Sequence, residues 1–114
     1  MVNKRALGSK KELLAANYLK NLGLNVINMN FRCKTGEIDI VAEDGDYLVF
    51  CEVKYRKSTG YGSPIEAVNT TKQNKIRQVA RFYLLKNQIA QDKPVRFDVI
   101  GILGDDITYI KDAF

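Results

Sequence analysis

The sequence predicts an α/β fold, a central mixed β-sheet flanked by helices. Two segments carry apolar residues at helical spacing: Ala15, Ala16, Leu19 and Leu22, then Ile76, Val79, Ala80, Tyr83 and Leu84. Apolar runs rich in β-branched residues lie between and after them, bounded by Gly and Asp turn signals. The third and fourth strands are joined through the second helix, which makes them parallel and the crossover right-handed. The predicted order is helix, three strands, helix, strand and a short edge strand. With 114 residues the chain suffices for one domain, 1–114, around one core.

The first helix is expected from Ser9 to Gly23. Ser9-x-x-Glu12 matches a capping box, and Gly23 suits a left-handed helix end. Glu12 either caps this helix or points along the sheet from the same stripe as Ala15 and Ala16. Leu24 to Asn28 reads as the first strand. Glu37–Glu43 and Asp46–Tyr55 read as a hairpin around Asp44-Gly45, because Asp-Gly favours a two-residue turn. Ser63-Pro64-Ile65-Glu66 has proline at a first helical position and a capping-box glutamate, so the second helix is expected from there to about Asn87. Strands Val95–Ile102 and Ile107–Ile110 follow, separated by Gly104-Asp105-Asp106.

A turn at Asp44-Gly45 would pair Val41 with Leu48, Asp39 with Phe50 and Glu37 with Glu52. Side chains alternate along a strand, so Glu37, Asp39, Phe50, Glu52 and Lys54 project from one face, with Asp39 diagonal to Glu52. Ile38, Ile40, Val49 and Val53 fall on the other face. Both faces are apolar near the turn, which requires cover on both sides. The acids gather at the far end. Two carboxylates about 5 Å apart repel by roughly 3 kcal/mol at an effective dielectric near 20. Lys54 offsets part of this, and a divalent cation that favours hard oxygen ligands, Mg²⁺ or Mn²⁺, would offset more. Lys72, one turn before Ile76, and Gln73 beside it are polar positions aimed at the same sheet end.

Composition excludes several chemistries. Histidine is absent, so no His-based triad or His-ligated zinc site can form. Cys33 and Cys51 are too few for a zinc pattern, and Cys51 alternates as a small core residue. No run is long enough to span a membrane and no signal-peptide core follows Met1, which points to the cytoplasm and to no membrane partner. A net charge of +5 permits nucleic-acid binding.

The element order together with Asp39…Glu52-x-Lys54 resembles the restriction-endonuclease-like superfamily of PD-(D/E)xK nucleases. In more detail the chain is similar to the bacterial YraN-like family of endonuclease-like proteins. Gly8 with Glu12, Gly36-Glu37-Ile38-Asp39-Ile40-Val41-Ala42, Phe50-Cys51-Glu52-Val53-Lys54 with Arg56, Arg96-Phe97-Asp98-Val99-Ile100 and Ala113-Phe114 carry that likeness. The resemblance implies a Mg²⁺-dependent endonuclease, with Mn²⁺ as substitute, in which Asp39 and Glu52 ligate the metal and Lys54 positions water or stabilises phosphate charge. It implies that Glu12 joins the metal site, as the helical glutamate of archaeal Holliday-junction resolvases does. It also implies that Lys72 and Gln73 correspond to helix residues of RecB-like nucleases, although Arg77 stands where those have tyrosine. Ile38 replaces the proline before the first acid.

Two basic loops are expected to hold nucleic acid, DNA rather than RNA: Arg32 and Lys34 in the loop before the acidic strand, Arg56 and Lys57 in the loop after Lys54. Neither has a base-reading pattern, so recognition is expected to follow nucleic-acid structure, as in a resolvase. Enzymes of this superfamily often dimerise to cut two strands, so a homodimer is a further expectation. The competing functions are a nucleic-acid-binding module without catalysis and a partner-binding protein in which Glu37, Glu52 and Lys54 form a structural ion-pair network.

Overall fold

The computed structural model describes residues 4–56 and 68–114, with side chains from Lys10 onward. Its elements are α1 (Lys4–Asn21), β1 (Asn25–Cys33), β2 (Gly36–Asp44), β3 (Tyr47–Arg56), α2 (Thr70–Lys86), β4 (Val95–Leu103) and β5 (Asp106–Ile110). The strands form one mixed sheet in the order β1-β2-β3-β4-β5. The β3–β4 pair is parallel and the others are antiparallel. This is the predicted α/β architecture, compatible with a restriction-endonuclease-like fold. Among the described residues no helix is long and apolar enough to cross a membrane.

The helices cover opposite faces of the sheet. Ala15, Ala16 and Leu19 of α1 pack with Ile40, Ala42, Cys51, Ile100 and Ile102. Ile76, Val79, Ala80 and Tyr83 of α2 pack with Phe31, Ile38, Val41, Leu48 and Phe50. At about 25 cal/mol per Å² of apolar surface, these two layers are the main stabilising term. Ile38 departs from expectation: it joins the α2 side while Ile40, two residues on, joins the α1 side. Simple alternation breaks between them, at Asp39, and the neighbouring strand has its own irregularity at Asn30, φ +56°. Leu22 also departs, being 52% exposed. The helix ends first, with Leu24 N–H bonding Leu19 O at 3.0 Å and Gly23 at φ +98°.

Four element boundaries differ from the sequence reading. First, α1 begins before Ser9, so Ser9 is not an N-cap and Glu12 is not spent in a capping box. Second, β1 continues to Cys33, which turns most of the expected basic loop into strand and leaves a tight turn at Lys34-Thr35. Third, α2 is capped by Asn69, whose side chain accepts Lys72 N–H; the Ser63-Pro64 start lies outside the described residues. Fourth, the hairpin turn is Gly45-Asp46, because Asp44 pairs with Tyr47, Glu43 with Leu48 and Val41 with Phe50. Only Gly45 of that pair has positive φ, +58°. A glycine at the first central position is the type II′ preference. The register is therefore two residues from the expected one. A shift of two keeps side chains on their faces wherever alternation holds, as it does for Val41, Leu48 and Phe50.

Candidate active site

Adjacent strands place Asp39 and Glu52, which are only 6% and 5% exposed. The β2–β3 ladder pairs as far as Ile40 and Cys51. One step further, the Asp39 side chain replaces the ladder: Oδ2 accepts the backbone N–H of Val53 at 2.8 Å. The expected Glu37–Glu52 pairing does not form. Glu37 faces β1 instead, where Arg32 Nε donates to it at 2.9 Å.

Two ammonium groups reach Glu52. Lys54 Nζ lies 3.7 Å from Oε1, and Lys72 Nζ, from the first turn of α2, lies 3.6 Å from the same oxygen. The other oxygen, Oε2, is buried and has no hydrogen-bond partner. Burial pushes the Asp39 carboxyl up to about 7; the Glu52 charge adds to this and the Val53 N–H opposes it. Burial also raises Glu52, while Lys72 and Lys54 pull it back. Burial thus disfavours ionising both acids together. Ionising both leaves Glu52 Oε2 stranded at a cost of about 1–3 kcal/mol or more.

Glu12 projects from α1 toward the same place. Its carboxyl is raised by burial, lowered by a hydrogen bond from the Asn30 side chain, and raised again by the charges of Asp39 and Glu37. It does not complete a three-carboxylate cage. Among the described residues no three His, Cys, Asp or Glu side chains are grouped to hold a metal ion. Asn30 engages Glu12, which leaves Asp39 and Glu52 as the close carboxylate pair. That pair still fits a hard divalent cation: both donors are carboxylates, one oxygen is unsatisfied, and Mg²⁺ commonly takes one or two protein carboxylates.

The other predicted residues separate. Lys72 stands in the site, but Gln73 Nε2 donates to Val68 O at 3.0 Å and so fixes the entry to α2. Arg32 is held by Glu37, and Lys34 sits exposed in the β1–β2 turn. Arg56 closes β3, with its carbonyl accepting Gly104 N–H at 3.1 Å. Lys57 lies outside the described residues. Sequence reasoning missed Asn69, the cap that aims Lys72 at Glu52. Asn is among the best N-cap residues, and Asn69 before Thr70-Thr71 was the available signal. Ser63-Pro64 outranked it.

A second buried acid lies in the next strand. Asp98 is fully buried. Its Oδ1 accepts Arg96 Nε and Asp112 N–H, each at 2.9 Å, and its Oδ2 accepts Arg96 Nη2 at 2.9 Å and the Tyr109 hydroxyl. Arg96 Nη2 also donates to Asp44 at 2.8 Å. Burial, with the Asp98 contact, pushes the Tyr109 hydroxyl up and keeps it a donor.

The chain is similar to known proteins over most of its length. Residues 11–102 match the uncharacterised protein family UPF0102. A UPF0102 protein of Lachnoclostridium phytofermentans is 47% identical over 113 residues, spanning 99% of this chain and 96% of that one. One from Persephonella marina is 47% identical over 107 residues, spanning 94% and 91%. One from Clostridium botulinum strain 657 is 46% identical over 114 residues, spanning 95% and 93%.

Proposed function

We propose, from the premise that this chain belongs to the uncharacterised protein family UPF0102, that it is a Mg²⁺-dependent endonuclease. It would hydrolyse phosphodiester bonds of DNA and select branched or single-stranded structure rather than sequence. One observation carries the proposal: a nearly buried carboxylate pair with a stranded oxygen, flanked by two lysines. Such a pair costs stability in the bare chain, and a bound cation removes that cost.

Asp39 and Glu52 would hold the ion. When bound, it would neutralise charge on the scissile phosphate and lower the pKa of an attacking water. The remaining work falls to the chain. Val53 N–H locks the Asp39 carboxylate in one orientation. Lys54 and Lys72 hold positive charge beside Glu52, where it opposes the charge gathering on a phosphate in the transition state. Because the Asp39 carboxyl is pushed up to about 7, protons compete with the cation. Cation binding is expected to tighten as pH rises through 7.

Thermal melting in Mg²⁺ or Mn²⁺ tests the cation site. The native chain should gain about 2.7 kcal/mol at a hundredfold excess over Kd, and Asp39→Asn should lose that gain. Cleavage of branched and single-stranded DNA tests the chemistry. Lys54→Ala should fall by about 100-fold or more. Cleavage that survived both substitutions would belong to a contaminant and end the proposal. Salt-sensitive DNA binding with no metal response would mark a binding module without catalysis.

A further inference from the structure

We propose that the groove between the β1–β2 turn and the outer side of α2 binds single-stranded nucleic acid, with Phe82 stacking on an unpaired base. This rests on the nuclease proposal and deepens it by naming an unpaired strand as the form of substrate. The groove encloses about 330 Å³ and is lined by Arg32, Cys33, Lys34, Thr35, Phe82 and Lys86. Three of these six side chains are cationic and none is acidic. Glu37 pairs with Arg32 from outside the groove and leaves the guanidinium side chain 61% exposed.

Phe82 is out of place for a solvated helix surface. It is 47% exposed, while Val79 and Tyr83 of the same helix are buried. Its ring leans on Phe31 at 6.1 Å between centroids, and Phe31 meets Tyr83 edge-on at 4.9 Å. The ring is thus anchored on one side and open on the other. Lys86 Nζ sits 5.6 Å over the Phe31 ring, a cation–π contact that keeps the ammonium in the groove. An aromatic platform among cations suits a strand whose bases offer flat faces and whose phosphates carry charge. In a duplex those faces are stacked away. An acidic peptide would use the cations but has no use for the ring face.

The groove also lies at a useful distance from the carboxylates. Phe82 follows Lys72 by ten residues of one helix, a rise of about 15 Å. A strand seated on Phe82 could therefore extend to Lys72 and Glu52.

The test is binding of a labelled oligothymidylate, read by anisotropy in EDTA so that no cleavage intervenes. Phe82→Leu keeps an apolar contact with Phe31 but removes the ring face. It should weaken binding about 5- to 150-fold at an unchanged melting temperature. Lys86→Ala should reduce the salt dependence of log K by about 0.7. Alkylation gives an independent readout. Cys33 is half-buried in the groove and Cys51 is 1% exposed, so a thiol reagent reports on Cys33. The oligonucleotide should slow that labelling, and polyglutamate of equal charge should not. The proposal fails if Phe82→Leu binds like the native chain, or if duplex DNA or polyglutamate protects Cys33 equally well. Phe82-dependent binding without cleavage in Mg²⁺ would sink the nuclease and keep the groove. Cleavage indifferent to Phe82 would do the reverse.

Discussion

Asp98 on β4 and Glu52 on β3 are neighbours in one sheet, yet their carboxylates are treated in opposite ways. Asp98 lies beside Cys51 in the β3–β4 register, one position from Glu52. It gives four acceptor contacts to four donors, two of them from one guanidinium. Bidentate Arg–carboxylate geometry is the strong form of a charged hydrogen bond. Glu52 has two ammonium groups at 3.6–3.7 Å on one oxygen, none on the other, and a second carboxylate at its side. Asp98 ties β2, β4, β5 and the final turn together through Arg96 and Tyr109. The Asp39–Glu52 pair ties Asp39 to Val53 and otherwise leaves its capacity open. A buried acid whose acceptors are all filled holds a fold in place. One whose acceptors are left over is set up to receive something.

Removing each acid should sharpen the contrast. Asp98→Ala takes the acceptor from the Tyr109 hydroxyl and leaves the partly buried Arg96 guanidinium with Asp44 as its remaining carboxylate partner. It should lose about 3–5 kcal/mol in urea unfolding. An unchanged urea midpoint would mean that the network contributes nothing.

Asp39→Asn should act with the opposite sign. The folded carboxyl sits near 7, above its ordinary value of 3.8. The native state thus keeps a proton that the unfolded chain releases. The resulting stability is complete below about pH 4 and is lost as pH rises toward 7. Asparagine stays neutral and escapes the loss. The metal-free variant should gain about 1–3 kcal/mol at pH 8 and almost nothing at pH 4. Urea midpoints at the two pH values check this; destabilisation at pH 8 would break the comparison.

The smallest effect should come from Asn69→Ala. It removes the cap of α2 and should cost about 1 kcal/mol, with weaker helical dichroism. It also loosens the turn that carries Lys72. A Mg²⁺ response left intact by this change would show that Lys72 is peripheral to the pair.

Much of the fold could be read from the sequence. The helical stripe of Ile76, Val79, Ala80 and Tyr83 is buried as expected, and so is that of Ala15, Ala16 and Leu19. Gly23 and Gly45 both take positive φ. The site was legible in composition and less so in detail. Asp39, Glu52, Lys54 and Lys72 meet, whereas Glu37 and Gln73 are engaged elsewhere and Glu12 stays with Asn30. Motif strength misled at the first helix start. Ser9-x-x-Glu12 is a capping pattern lying inside a longer helix; α2 is capped by Asn69, while Ser63 lies outside the described residues.

By itself the chain's order of residues determined the sequence of elements and the face on which Phe50, Glu52 and Lys54 stand. Alternation is a property of the extended backbone, and a slip of two residues leaves it intact. Only the tertiary structure decided the register, the side taken by Ile38 and the direction of Glu12. Asp44 stays in its strand because Arg96, fifty-two residues away, donates to it at 2.8 Å, and the turn moves on to Gly45-Asp46. Competing local turns differ by about 1 kcal/mol or less, so a partly buried arginine bridging two strands is enough to choose between them.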